Sequence, residues 1–215
     1  MRITNGVSFL RTCAVAAALV AAMLGQSGVA RADIIDDWST LALPAAPQPK
    51  PVVLDAKTTA LLVFDFLPAN CSNPRCAAAM AKVKPMLDAA RAAKALVVYG
   101  EFPPNSMTSI LPAVAPQGTE PNVVGVADRF INTSLDQILK DHGIKTVIMV
   151  GAAANGVVLY TGSDAAMRGY KVVVPVDGMA GNSPFAEGYS ALQLATGPTV
   201  GQNVTLTRCA TVTFQ

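Results

Sequence analysis

Apolar residues along this chain gather in short unbroken blocks, separated by stretches where they recur at helical spacing. Thr59–Phe64, Ala95–Tyr99, residues 145–150, Lys171–Val176 and Val204–Thr207 are blocks of the first kind. They lack the alternation of a strand with one wet face, and predict strands buried on both faces of a parallel sheet. Between them, Ala77–Lys94 carries Met80, Val83, Leu87 and Ala90 near helical spacing, with Pro85 predicted to bend the helix or mark a late start. Residues 133–142 set Leu135, Ile138 and Leu139 on one face; Thr133 can cap this helix and Gly143 can end it. Two further helices are predicted over 155–169 and 185–195. Strands alternating with helices predict an α/β fold, a three-layer α/β/α sandwich with a central, mostly parallel sheet. Right-handed crossovers then bring the C-terminal strand ends to one edge, where open α/β sheets bind ligands. Asp65 and the Ala153–Val157 turn both lie at such ends. The connection over residues 100–121, rich in proline, is long and irregular, of the kind that lines sites.

The first 32 residues follow another pattern. Arg2 and Arg11 flank a short polar start, Ala14–Leu24 is continuously apolar, and Ala30-Arg31-Ala32 fits signal-peptidase cleavage. This predicts a signal peptide over 1–32 and an exported protein, periplasmic or secreted. The apolar run falls short of the ~20 residues of a membrane span; an uncleaved anchor is the alternative. Residues 33–58, with Pro44, Pro47, Pro49 and Pro51, read as an extended lead-in arm, and 59–215 as the single domain. Loss of 1–32 removes Arg2, Arg11 and Arg31 from 16 basic residues and none of the 14 acidic ones, turning a formal +2 slightly negative. No basic run, and no basic face with interleaved aromatics, points to nucleic acid, and nothing after cleavage points to a membrane.

Export places the cysteines in an oxidising compartment. Three follow residue 32 (Cys71, Cys76 and Cys209), so at least one stays unpaired within a monomer. Asn73-Pro74 favours a turn that brings Cys71 and Cys76 within disulfide reach; two free thiols are the alternative. No second cysteine or histidine cluster completes a zinc site, and the one histidine, His142, ends a surface helix whose dipole favours it. No metal and no cofactor are expected. Asp65 follows six residues predicted to be buried. Desolvation there raises a carboxyl's pKa and suits it to proton transfer; capping the turn by accepting backbone N–H bonds is its structural alternative. The backbone of Ala152, Ala153, Ala154, Asn155 and Gly156 is a candidate oxyanion or anion pocket, because small residues admit a ligand and helix-start N–H groups attract negative charge. Close helix–strand packing would use the same small residues. Phe66, Phe102 and Tyr160 are candidates for an apolar pocket wall, or for core.

Four ordered segments resemble the isochorismatase-like cysteine hydrolases. Thr59–Phe66 resembles their first strand with its acidic residue, and Asp128–Leu135 the segment that usually holds a catalytic lysine. Gly151–Leu159, followed by Asp164-Ala165, resembles the nucleophile turn and its helix, and Val172–Gly178 the next strand with its acidic end. The resemblance implies a triad in which an aspartate accepts a proton, a cysteine attacks an amide or related carbon, and a lysine fixes charge. Asp65 keeps the first role. The lysine position falls on Arg129, with Val124 as the alternative. Arg129 stays cationic and can hold a substrate carboxylate bidentately, but exchanges no proton at neutral pH; its structural alternative is a surface ion pair with Asp128 or Glu120. The cysteine position falls on Val157, which has no nucleophilic atom. Pairing with Cys76 would disable Cys71, and Cys209 is expected to pack as a small apolar residue. The resemblance also implies a cis peptide at Ala152–Ala153. Isochorismatases of the phenazine type lack the cysteine and hydrolyse a vinyl ether with the aspartate as acid. The expected function is therefore an exported hydrolase with a degenerate triad, acting on a small polar or acidic molecule through Asp65 with Arg129. A noncatalytic binding or scaffold protein that keeps the fold is the alternative; a redox role for Cys71 and Cys76 is a third reading. Relatives commonly form dimers or tetramers, so a homo-oligomer is a further expected partnership.

Overall fold

The computed structural model describes residues 33–215; the expected signal segment lies outside the described residues. Residues 33–45 form a unit of their own, with one turn of 3-10 helix at Trp38–Thr40 that buries nothing. The main unit runs from Ala46 to Gln215. Its elements, in chain order, are β1 (Val52–Leu54), β2 (Thr59–Phe64), α1 (Pro74–Ala92), β3 (Leu96–Glu101), β4 (Asn122–Val124), α2 (Leu135–Asp141), β5 (Thr146–Ala152), α3 (Leu159–Met167), β6 (Lys171–Pro175), β7 (Met179–Ala180), α4 (Pro184–Thr196), β8 (Val204–Thr207) and β9 (Val212–Phe214).

Seven strands build the main sheet in the order β4-β3-β2-β5-β6-β8, with β7 pairing the end of β5. Every pairing is parallel. All six residues of β2 are buried, as expected of a strand covered on both faces. One apolar cluster joins α1 to the sheet through Met80, Val83, Leu87 and Ala90. The other joins the opposite face to α2, α3 and α4 through Leu135, Leu139, Ala165 and Leu194. The result is the predicted three-layer α/β/α sandwich.

Several details depart from the sequence expectation. The boundary at residue 59 moves back to 46, because β1 pairs with β9 and ties this part of the arm to the domain. Helix α1 starts at Pro74, capped by the Asn73 side chain, which accepts from the Arg75 and Cys76 amides. It runs on through Pro85, which lies on the solvent face, where water can satisfy a carbonyl left without its donor. The predicted helix over 155–169 opens instead as a π-helical turn, Ala154–Val158, in which Gly156 departs from helical geometry (φ −121°, ψ −108°) before α3 begins. Strand β3 extends two residues past Tyr99 to Glu101, and the short strand β4 emerges from what sequence patterning reads as irregular chain.

Candidate active site

The carboxyl ends of β2, β3 and β5 meet where Gly151 crosses Phe64. A Cβ on Gly151 would stand 2.3 Å from the Phe64 carbonyl oxygen, and its φ of +153° is costly for a side chain, so only glycine lets the strands approach this closely here. One residue on, Asp65 adopts φ +57°, a left-handed conformation that aspartate tolerates better than most residues. Its amide donates to the Gly100 carbonyl (2.9 Å), and its own carbonyl accepts from the Leu67 amide (2.8 Å), so β2 stops abruptly at Asp65.

Asp65 faces Arg129. Nη2 of Arg129 lies 2.6 Å from Oδ1 and 2.7 Å from Oδ2, so one nitrogen serves both carboxylate oxygens. The two side chains are 6% and 0% exposed. Arg129 is fixed from several directions. Its Nη1 donates to the Gly125 carbonyl (3.0 Å), its amide to Thr161 Oγ1 (3.0 Å), and its carbonyl accepts from the Thr133 hydroxyl. The guanidinium stands 6.0 Å from the centre of the Phe64 ring. Burial pushes the Asp65 carboxyl up to about 6 against the opposing pull of Arg129, and Glu101 adds a smaller upward push.

Neither structural alternative for these residues is observed. The Asp65 carboxylate takes its bonds from Arg129 and none from a backbone amide among the described residues. Arg129 makes no surface pair: Glu120 binds Arg91 instead, and Asp128 accepts from the Phe130 amide. Val124, the other candidate for the lysine position, is exposed on β4. The free hand expected of Arg129 for a substrate carboxylate is also corrected: its Nη2 is already committed to Asp65.

Val157 is buried at 2% exposure in the cluster that contains Phe64 and Phe130. The described cysteines supply no thiol there. Cys71 and Cys76 form a disulfide, with Cα atoms 5.1 Å apart, and Cys209 is buried in the cluster on the opposite face, where burial first and Asp177 second push its thiol well above the ordinary range. The Ala152–Ala153 peptide is cis. The candidate anion pocket is partly consumed from within, since the Gly156 and Val158 amides donate to the Ala153 carbonyl (3.1 and 3.4 Å). The three aromatic wall candidates do not converge. Phe66 is core on the α1 face, Phe102 is half-buried against that same cluster, and Tyr160 is exposed on α3. His142 is exposed, its Nδ1 2.8 Å from the Ile138 carbonyl oxygen. Among the described residues no group of three metal-ligating side chains gathers, and no helix is long and apolar enough to cross a membrane.

Three residues of this region escape the sequence reading. Asn70 donates through Nδ2 to the carbonyls of both Ala152 (2.8 Å) and Asp65 (3.2 Å), joining the ends of β5 and β2. Thr161 bridges the Arg129 amide to the Ala127 carbonyl. Glu101 ends β3 fully buried; its signal is a charge two residues past an apolar block, weaker than that of Asp65 because Gly100 intervenes. Two clefts, of about 490 and 390 Å³, lie elsewhere: one by Lys57, Arg91, Lys94 and His142, the other by Arg75, Lys82, Asp177 and Glu187. Neither reaches Asp65 or Arg129, so the assignment of the site rests on converging side chains rather than on an open hollow.

The sequence pattern of the isochorismatase domain matches residues 59–207. An uncharacterized isochorismatase family protein of Bacillus subtilis (strain 168), YaaI, is 39% identical over 54 residues, 25% of this chain and 30% of that protein, so the match spans less than a third of that relative's length. Among solved structures, an isochorismatase family protein from Burkholderia thailandensis superposes with TM-score 0.65 at 22% identity, covering 76% of this chain and 97% of the other. N-carbamoylsarcosine amidase from Thermoplasma acidophilum gives TM-score 0.60 at 21% identity, covering 71% and 96%; at such identities these likenesses speak for the fold. With the domain pattern matched over most of its main unit, this chain belongs to the isochorismatase-like cysteine hydrolase family.

Proposed function

We propose that this member hydrolyses a small polar or acidic molecule by proton transfer from Asp65, without a protein nucleophile, after export from the cytoplasm. Val157 at the nucleophile position leaves no thiolate for acyl transfer, whereas hydrolysis of a vinyl ether requires only an acid and water. The observation that carries this reading is the buried Asp65–Arg129 pair at the carboxyl edge of the sheet. Burial holds the Asp65 carboxyl near 6, where an acid keeps a useful protonated fraction close to neutral pH. Arg129 steadies the anion left after the proton departs. Both side chains are buried, so a substrate reaches them only through a rearrangement of the chain around the pair. Closure over the pair is also what favours the second reading, a binding or scaffold protein that has kept the fold and lost the reaction.

Turnover of vinyl ethers, amides and esters by purified wild type and Asp65→Asn separates the two. We expect vinyl ether hydrolysis by wild type, falling as pH rises above about 6 as Asp65 loses its proton, and loss of at least about 100-fold in the variant. Equal rates for the two proteins would remove Asp65 from the mechanism, and no turnover at all would leave the binding reading.

A further inference from the structure

Glu101 ends β3 one residue beyond the pairing of Phe64 with Gly100, and the Asp65 amide donates to the Gly100 carbonyl (2.9 Å), so the two acidic residues follow directly on neighbouring strand ends. It is fully buried. Its Oε1 accepts from Asn122 Nδ2 at 2.8 Å, while Oε2 has no hydrogen-bond partner among the described residues. The same is true of Nε of Arg129, the cation that Asp65 uses. A buried polar atom left unbonded costs about 1–3 kcal/mol, and native folds retain few of them. Here two such atoms, an acceptor and a donor, occur on neighbouring charged residues at the one place where the strand ends and Arg129 meet.

The charge balance gives this arrangement a chemical meaning. Two carboxyl groups beside a single guanidinium carry one excess negative charge when both are ionised, and one proton held by the pair removes it. One member then has a proton to give while the other has room to take one. Hydrolysis without a protein nucleophile begins with the acid, and a base that takes the surplus proton of the added water speeds the step that follows. Burial raises the Glu101 carboxyl above its ordinary range, but the Asn122 donor and then Arg129 pull against it, whereas burial lifts Asp65 to about 6 in spite of its Arg129 contact. Asp65 is therefore taken as the acid and Glu101, with its open Oε2, as the acceptor.

We propose that Glu101 is the general base of this site, taking a proton from the attacking water through Oε2 while Asp65 gives one to the substrate; this rests on the hydrolytic reading above. For a vinyl ether the steps balance. The Asp65 proton forms a C–H bond at the terminal vinyl carbon, leaving an oxocarbenium ion and the Asp65 carboxylate. Water adds to the cationic carbon, a C–O bond forms, and its surplus proton passes to Glu101. The hemiketal then breaks its bond to the ether oxygen, which takes the proton held by Glu101, while the hemiketal hydroxyl proton returns to Asp65. A carbonyl compound and an alcohol leave, and both carboxyl groups end as they began.

The test compares kcat and KM across pH for wild type, Asp65→Asn, Glu101→Gln, Glu101→Asp and Glu101→Ala, the last with and without added formate. Glu101→Gln should lower kcat about 100-fold while KM moves by less than about threefold. It should also lose the rise in kcat on the acid side of the profile. Glu101→Asp should keep activity within about tenfold, and formate should restore Glu101→Ala by at least about tenfold, a response that a purely structural role would not give. Thermal melts establish that each variant is folded, and formate rescue reads the role of the carboxyl even where Glu101→Gln is unstable. An inactive Asp65→Asn beside a Glu101→Gln within about twofold of wild type, or a Glu101→Ala indifferent to formate, overturns the role of Glu101 and leaves the hydrolytic reading standing. Equal rates for wild type and Asp65→Asn, or no turnover by wild type, bring down both.

Discussion

Two arginine–carboxylate pairs flank the sheet, and their construction differs. Near the amino-terminal strand ends, Arg91 grips Glu120 with a two-nitrogen fork, Nε to Oε1 at 2.8 Å and Nη2 to Oε2 at 2.9 Å. Its Nη2 also reaches the Tyr99 hydroxyl (2.9 Å) and the Ala115 carbonyl (3.0 Å), and the two side chains stay 15% and 16% exposed. At the opposite edge Arg129 meets Asp65 through one nitrogen, in full burial, with its Nε unbonded. The Arg91 pair is what a structural tie looks like: geometrically complete, touching water, and fastening the proline-rich connection to α1. The Arg129 pair is more expensive than a tie needs to be, because burying ions costs several kcal/mol each before their attraction returns any of it. Proteins retain such local expense mainly where function uses it.

The sharpest break in this contrast is Arg129→Met, which strands the Asp65 carboxyl in the core. We expect a loss of about 3–5 kcal/mol in urea unfolding at pH 7, largely recovered when Asp65→Asn is added. Wild-type stability in Arg129→Met would mean that the buried pair plays no part in holding the fold.

The next effect is the pH dependence of the pair. Burial raises folded Asp65 to about 6, above the ~3.9 of an unfolded aspartate. A carboxyl raised on folding binds its proton more tightly in the native state, so its contribution to stability is complete below about pH 4 and is lost as pH rises through about 6. The stability difference between wild type and Asp65→Asn, measured by urea unfolding from pH 4 to pH 7, should therefore move against wild type by about 2–3 kcal/mol. A flat difference would mean that Asp65 is ionised throughout and that Arg129 outweighs burial.

The smallest effect belongs to the other edge. Arg91→Met should cost about 1–2 kcal/mol, because partly exposed pairs contribute little and the remainder is the lost bonds to Tyr99 and Ala115. A loss as large as that of Arg129→Met would erase the distinction between the two pairs.

The layers and most strands were legible because burial on two faces writes continuous apolar blocks, and Thr59–Phe64 is unambiguous on that ground. Asp65 was legible as a charge at the end of such a block. The partnership of Arg129 with Asp65 depended on family resemblance, since no periodicity relates residues 64 positions apart. Glu101 was missed because Gly100 interrupts the apolar run and Pro103-Pro104 follows closely, so the strand reads as ending at Tyr99. Asn70 was hidden in a loop, where an amide that ties two strand ends looks like any other polar residue. Strands β1 and β9 are three residues each and exist through pairing with one another, information that neither segment carries alone. The π-helical opening at Ala154–Val158 lies beyond the reach of a 3.6-residue pattern.

The bridge between Cys71 and Cys76 begins one residue after Asn70, whose amide ties the ends of β2 and β5 together. Material produced in a reducing cytosol, or stored with dithiothreitol, would carry two thiols in place of that anchor. In that form the loop that carries Asn70 loses its covalent closure, and the tether between the two strand ends rests on hydrogen bonds alone.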